Sequence, residues 1–148
     1  MKHMLVRSEL ELSLDEFESL FILEGAPHSL AKYHETVDGT SGVTFSKWKQ
    51  KSADSIMTVF ERDISFTHGT LIKTRCVKTQ RKYRDKNGIV VYSSTKMTDV
   101  PEADAFTVDD VLSVTALDSN KIIVEISREI IWSRSSILNW PIELNTNR

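Results

Sequence analysis

The residues that could do chemistry in this chain gather between Asp99 and Trp132. Alternation there sets an acid, Asp110, among Phe106, Val108, Leu112, Val114 and Ala116 at every second position. A base, Arg128, sits in the same way among Ile122, Val124, Ile126, Ile130 and Trp132. Every second residue of a strand points to one face, so each charge lies on an otherwise apolar face. A charge turned inward is costly unless it is paired, and the two are expected to meet. Such a spot could orient the hydroxyl of a ligand inside an apolar cavity. It could equally be an ion pair that holds the strands in register, which is the commoner use of such pairs.

A second candidate is the basic segment 73–86. It carries Lys73, Arg75, Lys78, Arg81, Lys82, Arg84 and Lys86 against Asp85. Near an anionic membrane each such charge contributes about 1 kcal/mol of attraction. On that reading His68, Lys78, Arg81 and Lys82 touch the membrane. On the other reading the charges fall on both faces of a hairpin and guard it from edge pairing. Nucleic acid is a poor fit, since no aromatic platform interleaves the charges and the net charge is −2.

Other reactive types form no set. His28 and His34 are six residues apart and do not share a helix face, and His68 lies in a turn-like stretch. Cys76 is the single cysteine, so no internal disulfide or cysteine zinc site is expected. Asp109 and Asp110 are adjacent and point to opposite faces. There is no nucleophile elbow, phosphate loop or metal motif. The expectation is a protein without catalytic residues, metal or cofactor.

The elements that must position these residues read as α+β. At 148 residues, 40% hydrophobic and 27% charged, the chain suits one domain with a proper core. No apolar run approaches the length of a membrane-spanning helix, and no signal peptide is visible. Residues 1–4 look like an appended start ahead of a native beginning near Leu5, the domain proper is expected over 5–143, and 144–148 form a tail. Residues 5–11 suit a first strand. Ser13 opens a helix with a capping box, Ser13-Leu14-Asp15-Glu16, followed by an apolar stripe of Leu14, Phe17, Leu20 and Phe21. Pro27 to Glu35 suits a second short helix with Pro27 in its first turn.

Strands follow. Val43–Lys49 alternates around Trp48, and Ile56, Thr58, Phe60, Arg62, Ile64 and Phe66 share a face. Thr67-His68-Gly69 reads as a turn, and Thr70–Arg84 as a long strand. Asn87-Gly88 is a type I′ hairpin signal, since both residues accept positive φ. Ile89–Thr98, Phe106–Ala116 and Lys121–Trp132 complete about six antiparallel strands. In the last hairpin both even-numbered sets are the more apolar, so even must pair with even. A three-residue loop, Asp118 to Asn120, with Asn120 left-handed, gives that pairing. It sets Asp110 opposite Arg128, Leu112 opposite Ile126 and Phe106 opposite Trp132.

Five segments together resemble a known family. They are Leu14-Asp15-Glu16-Phe17 with Leu20-Phe21; Gly39 to Trp48-Lys49; Glu61-Arg62-Asp63-Ile64-Ser65-Phe66; Asp99-Val100-Pro101 through Asp104-Ala105-Phe106-Thr107-Val108; and Trp132 followed by Pro141-Ile142-Glu143. In order and spacing the chain resembles the VASt domains, the StART-like lipid-transfer modules of fungal Lam proteins, animal Aster proteins and plant relatives. The resemblance implies a helix-grip fold, a curved antiparallel sheet that wraps a long C-terminal helix around a lipid-sized cavity. It implies sterol as cargo, moved at membrane contact sites on the cytosolic face of the endoplasmic reticulum, within a membrane-anchored parent protein.

Two departures stand out. The connection after Phe66 is short, and the chain stops at Arg148, where the C-terminal helix would follow Pro141-Ile142-Glu143. Without that helix an apolar sheet face would be open to dimerisation. The expected function is therefore non-enzymatic lipid binding and transfer, with sterol the implied cargo. The alternative is an interaction module that kept the fold and lost its lipid. Val108, Leu112, Ile126 and Ile130 would line the cavity, and Asp110 and Arg128 would hold or reject a polar head.

Overall fold

The computed structural model describes residues 2–36, 40–53, 58–68, 74–98 and 106–132. Its frame is a curved, antiparallel, eight-stranded sheet. The strands are β1 (Lys2–Leu10), β2 (Thr40–Phe45), β3 (Lys49–Ala53), β4 (Thr58–His68), β5 (Thr74–Arg84), β6 (Gly88–Met97), β7 (Phe106–Asp118) and β8 (Lys121–Trp132). Their spatial order is β1-β8-β7-β6-β5-β4-β2, and β3 shares with β2 the outer side of β4. Helices α1 (Leu14–Phe21) and α2 (Leu30–Thr36) lie between β1 and β2 in the chain.

The capping box forms as its residues dictate. The Ser13 hydroxyl accepts from the Glu16 amide at 3.0 Å, and the Glu16 carboxylate accepts from the Ser13 amide at 3.1 Å. The helix so opened buries Leu14 and Phe17. With Ile22 they pack on Ile89 and Val91 of β6, Val114 of β7, and Ile122 and Val124 of β8. Two smaller apolar clusters lie elsewhere in the sheet. One joins Ile64, Phe66 and Cys76 to Leu30 and Val43; the other joins Phe106 and Ile130 to Val108 and Trp132.

The last hairpin has the expected register. Phe106 faces Trp132, Val108 Ile130, Asp110 Arg128, Leu112 Ile126, Val114 Val124 and Ala116 Ile122. Its turn is built differently. Asp118 pairs with Lys121, and Leu117 is the residue at the register shift. The Asp118 carboxylate accepts from the Asn120 amide at 2.8 Å. One extra residue on β7 plus a two-residue turn gives the same parity as a three-residue loop, so every side chain keeps its face.

Other expectations are corrected. The first strand starts at Lys2 rather than Leu5, because Lys2, His3 and Met4 pair with Glu129, Arg128 and Ser127. Val43–Lys49 is not one strand. It breaks after Phe45, and Trp48 stands in the gap with its indole N–H on the Ile22 carbonyl at 3.0 Å and its amide on the Glu24 carboxylate at 3.0 Å. Those two bonds tie the end of α1 to the sheet. Pro27 precedes α2 rather than opening it; the Ser29 hydroxyl accepts from the Lys32 amide at 3.3 Å and marks the true start. Thr67 and His68 belong to β4, where they face Arg75 and Thr74. Residues 69–73, 99–105 and 133–148, the last with Trp140 and Pro141, and Ile56 and Gly39 lie outside the described residues.

The β5–β6 turn also departs from its expected type. The Asp85 carboxylate accepts from the amides of Asn87 at 2.8 Å and Gly88 at 2.9 Å, so a side chain closes the turn. Among the described residues the glycines with positive φ are Gly25 and Gly42, and Gly88 is not one of them. Gly88 is needed for space. A Cβ there would lie 2.7 Å from the Val114 carbonyl oxygen, a backbone atom that cannot swing away. Gly88→Ala is therefore expected to lower the urea midpoint by the equivalent of about 1–3 kcal/mol, the usual cost of forced overpacking. A midpoint equal to that of the parent would refute the close approach.

Candidate functional site

Strand register assembles the site one residue per strand. Arg62 of β4 faces Gln80 of β5, Gln80 faces Ser93 of β6, Ser93 faces Asp110 of β7, and Asp110 faces Arg128 of β8. Directly opposed residues share a face, so the five side chains form one polar row across the sheet. The row continues to His3 of β1, the partner of Arg128. The Arg62 Nε donates to Gln80 Oε1 at 2.8 Å, and Gln80 Nε2 donates to Ser93 Oγ at 3.0 Å. At the other end Arg128 Nε donates to Asp110 Oδ1 at 3.0 Å.

A cavity of about 320 Å³ opens over this row. That volume is at the small end of the range for small-molecule sites. Its apolar lining comes from Leu5 of β1, Phe21 and Ile22 at the end of α1, Leu30 of α2, Trp48, Val91, Leu112 and Ile126. Its polar lining is Tyr33, Lys78 and the row from Arg62 to Arg128. Asp110, Arg128, Leu112 and Ile126 all lie on the cavity wall. Val108 and Ile130 do not reach the cavity and pack with Phe106 in the neighbouring apolar cluster.

Lys78 is the principal residue that strand reading misplaced. It is 8% exposed, with its Nζ 3.9 Å from Asp110 Oδ2. Lys82 is likewise buried, with its Nζ 3.1 Å from Glu18 of α1 and close over the rings of Trp48 and Phe60. Arg84 also turns to α1, meeting Asp15 at 2.9 Å. Arg81 faces outward and pairs with Glu61 at 2.9 Å. The basic segment is therefore divided by strand parity and is not one surface patch: Lys78 serves the cavity, and Lys82 and Arg84 hold α1. His68 closes β4, and Lys73 lies outside the described residues. A usable signal did exist for Arg62, which stands among apolar partners at every second position, as Asp110 and Arg128 do.

Burial is the largest influence on the titration of Arg62 and Lys78. Arg62 lies with its guanidinium 4.4 Å from the centre of the Trp48 ring. Burial lowers its pKa to about 10, against the opposing pull of Glu24. The Lys78 ammonium is lowered first by burial; Asp110 raises it, and Arg128 lowers it again. On the opposite face the Tyr92 hydroxyl donates to Asp109 at 2.6 Å, and that bond, helped by burial, pushes the phenol up to about 12. Among the described residues no group of three or more His, Cys, Asp or Glu side chains converges to hold a metal ion.

These shifts set the alkaline stability profile. Just below the ordinary lysine value the unfolded chain keeps a proton that folded Lys78 has released, so stability rises with pH. Tyr92 acts in the other sense between 10 and about 12, because its folded form keeps a proton that the unfolded chain loses. Comparison with Lys78→Met separates the two. Urea midpoints followed through mildly alkaline pH should rise less in Lys78→Met than in the parent. Parallel profiles would show that Lys78 is not held in a desolvated place.

No curated protein matches the chain. One family model, described as VAD1 Analog of StAR-related lipid transfer domain, matches residues 4–148. The match spans nearly the whole sheet and every residue of the cavity, and the chain belongs to the VASt family of StART-like lipid-binding domains.

Proposed function

We propose that this domain takes one lipid molecule into the cavity beneath α1 and α2 and carries it between membranes. The observation behind the reading is a cavity whose wall joins apolar side chains to a row of polar ones. A membrane lipid has an apolar body and one polar end, and the site offers a counterpart for each. Leu112 and Ile126 would pack the body; Asp110, Arg128 and their neighbours in the row would receive the head. Apolar area removed from water contributes about 25 cal/mol per Å², and this offsets the loss of bilayer contacts on extraction. Sterol cargo and exchange at contact sites of the endoplasmic reticulum enter this reading from the family resemblance.

Binding of fluorescent sterol, fatty acid and phospholipid to the chain tests the proposal. Saturable binding of at least one is expected. Leu112→Trp, which fills the cavity from its wall, should weaken that binding at least about tenfold, the equivalent of about 1.4 kcal/mol, while the far-ultraviolet spectrum stays unchanged. No saturable binding to any of the three would overturn the reading and leave an interaction module on a lipid-binding fold.

A further inference from the structure

We infer that Lys78 is a covalent capture site, whose amine condenses with the aldehyde of an amphiphile lying in the cavity and holds it as an imine. The inference rests on the lipid-binding reading above and goes beyond it, because the polar end is bonded rather than received. Lys78 is not a member of the polar row. It stands two residues before Gln80 on β5, so it shares the face of the row one rank away. It lines the cavity and is 8% exposed. Its strand partners, Ile64 of β4 and Thr95 of β6, carry no charge.

The Lys78 ammonium is enclosed yet loosely held. Among the described residues its Nζ makes no hydrogen bond, and its ion pair with Asp110 is long, at 3.9 Å. Lys82, buried on the same strand, shows the usual arrangement. Its Nζ lies 3.1 Å from Glu18 and over the rings of Trp48 and Phe60, and it does not line the cavity. Burial is the first cause that holds Lys78 below the ordinary lysine value; Asp110 opposes it, Arg128 adds to it and Cys76 opposes it. The neutral amine is the nucleophile, and a lysine desolvated in an apolar pocket is one of the ways an amine is activated.

The step needs no oxidant or reductant. The Nζ lone pair attacks the carbonyl carbon, a C–N bond forms, and the C–O π pair moves to oxygen. Both protons of the neutral amine end on that oxygen, the remaining C–O bond breaks, and the oxygen leaves as water. The product is a C=N bond between Lys78 and the amphiphile. When its nitrogen takes a proton, the charge stands where the ammonium stood, with Asp110 as counter-ion. Water reverses imine formation, and a nitrogen enclosed as Lys78 is meets little of it. Val91, Leu112 and Ile126 on the same cavity wall pack the apolar body and keep the carbonyl end at the amine.

Dodecanal tests this on the full chain, with sodium cyanoborohydride to reduce the imine to a stable secondary amine. Peptide mapping by mass spectrometry should find Lys78 modified at least about tenfold more than any other lysine, the exposed Lys32 and Lys86 and the buried Lys82 included. Excess dodecanol, which has the chain without the carbonyl, should lower the Lys78 adduct severalfold, and so should Leu112→Trp. Propanal, too short to fill the cavity, should show no preference for Lys78. Lys78→Met should still bind dodecanol and gain no selective adduct; if that variant fails to fold, the dodecanol and propanal arms on the parent chain carry the test. Modification spread over the exposed lysines, or a Lys78 adduct indifferent to dodecanol, would overturn the capture site. Saturable binding of dodecanol without an adduct at Lys78 would overturn it and leave lipid binding standing. Neither binding nor adduct would also overturn it, and the sterol, fatty acid and phospholipid assay then decides the lipid reading by itself.

Discussion

Asp110 stands opposite Arg128 in the β7–β8 hairpin, and most of the molecule is organised around that pairing. A strand presents alternate residues to alternate faces, so a slip of one residue would turn Val114, Val124, Ile122 and Phe106 out to water together. The apolar sets therefore enforce the register, and the register brings the charges into contact. Each further strand is held to the same rank. Ser93, Gln80 and Arg62 arrive beside Asp110 because β6, β5 and β4 pair in continuous antiparallel ladders without a shift through that rank.

The row divides the apolar residues of the concave face. The cluster covered by α1 lies to one side, around Ile89, Val114 and Ile122, and the clusters around Ile64 and Phe106 lie to the other. Charges survive in this setting because they are shared and hydrogen-bonded. Glu18 and Asp15 of α1 serve the same purpose for Lys82 and Arg84, so the helix brings apolar cover and counter-charge together. The cavity remains between the helices and the row.

Much of this was legible in the sequence. The capping box at Ser13, the even-with-even pairing of the last hairpin and the Asp110–Arg128 contact all follow from local rules: a hydroxyl three residues ahead of a glutamate, and an alternation of period two. Arg62 carried the same signature as Asp110 and Arg128. The places where local rules misled share a cause. Asn87-Gly88 resembles a turn that uses positive φ, yet Gly88 is required by the approach of the Val114 carbonyl from another strand. Lys78 and Lys82 resemble solvated charges, because a sequence does not display the Asp110 and Glu18 that make their burial tolerable.

The sequence by itself determined which residues share a face, where α1 begins, and that one acid and one base must meet on an apolar surface. Those outcomes depend on the repeat of the backbone and on side chains a few positions apart. Only the tertiary structure decided which face is enclosed, which cations enter the cavity, and that Val108 and Ile130 stand outside it. Enclosure depends on where α1, Leu30 and Trp48 come to rest against the sheet. The polar row depends on which residues five strands bring to one rank. Both are sums over contacts between residues far apart in the chain, and no local pattern contains them.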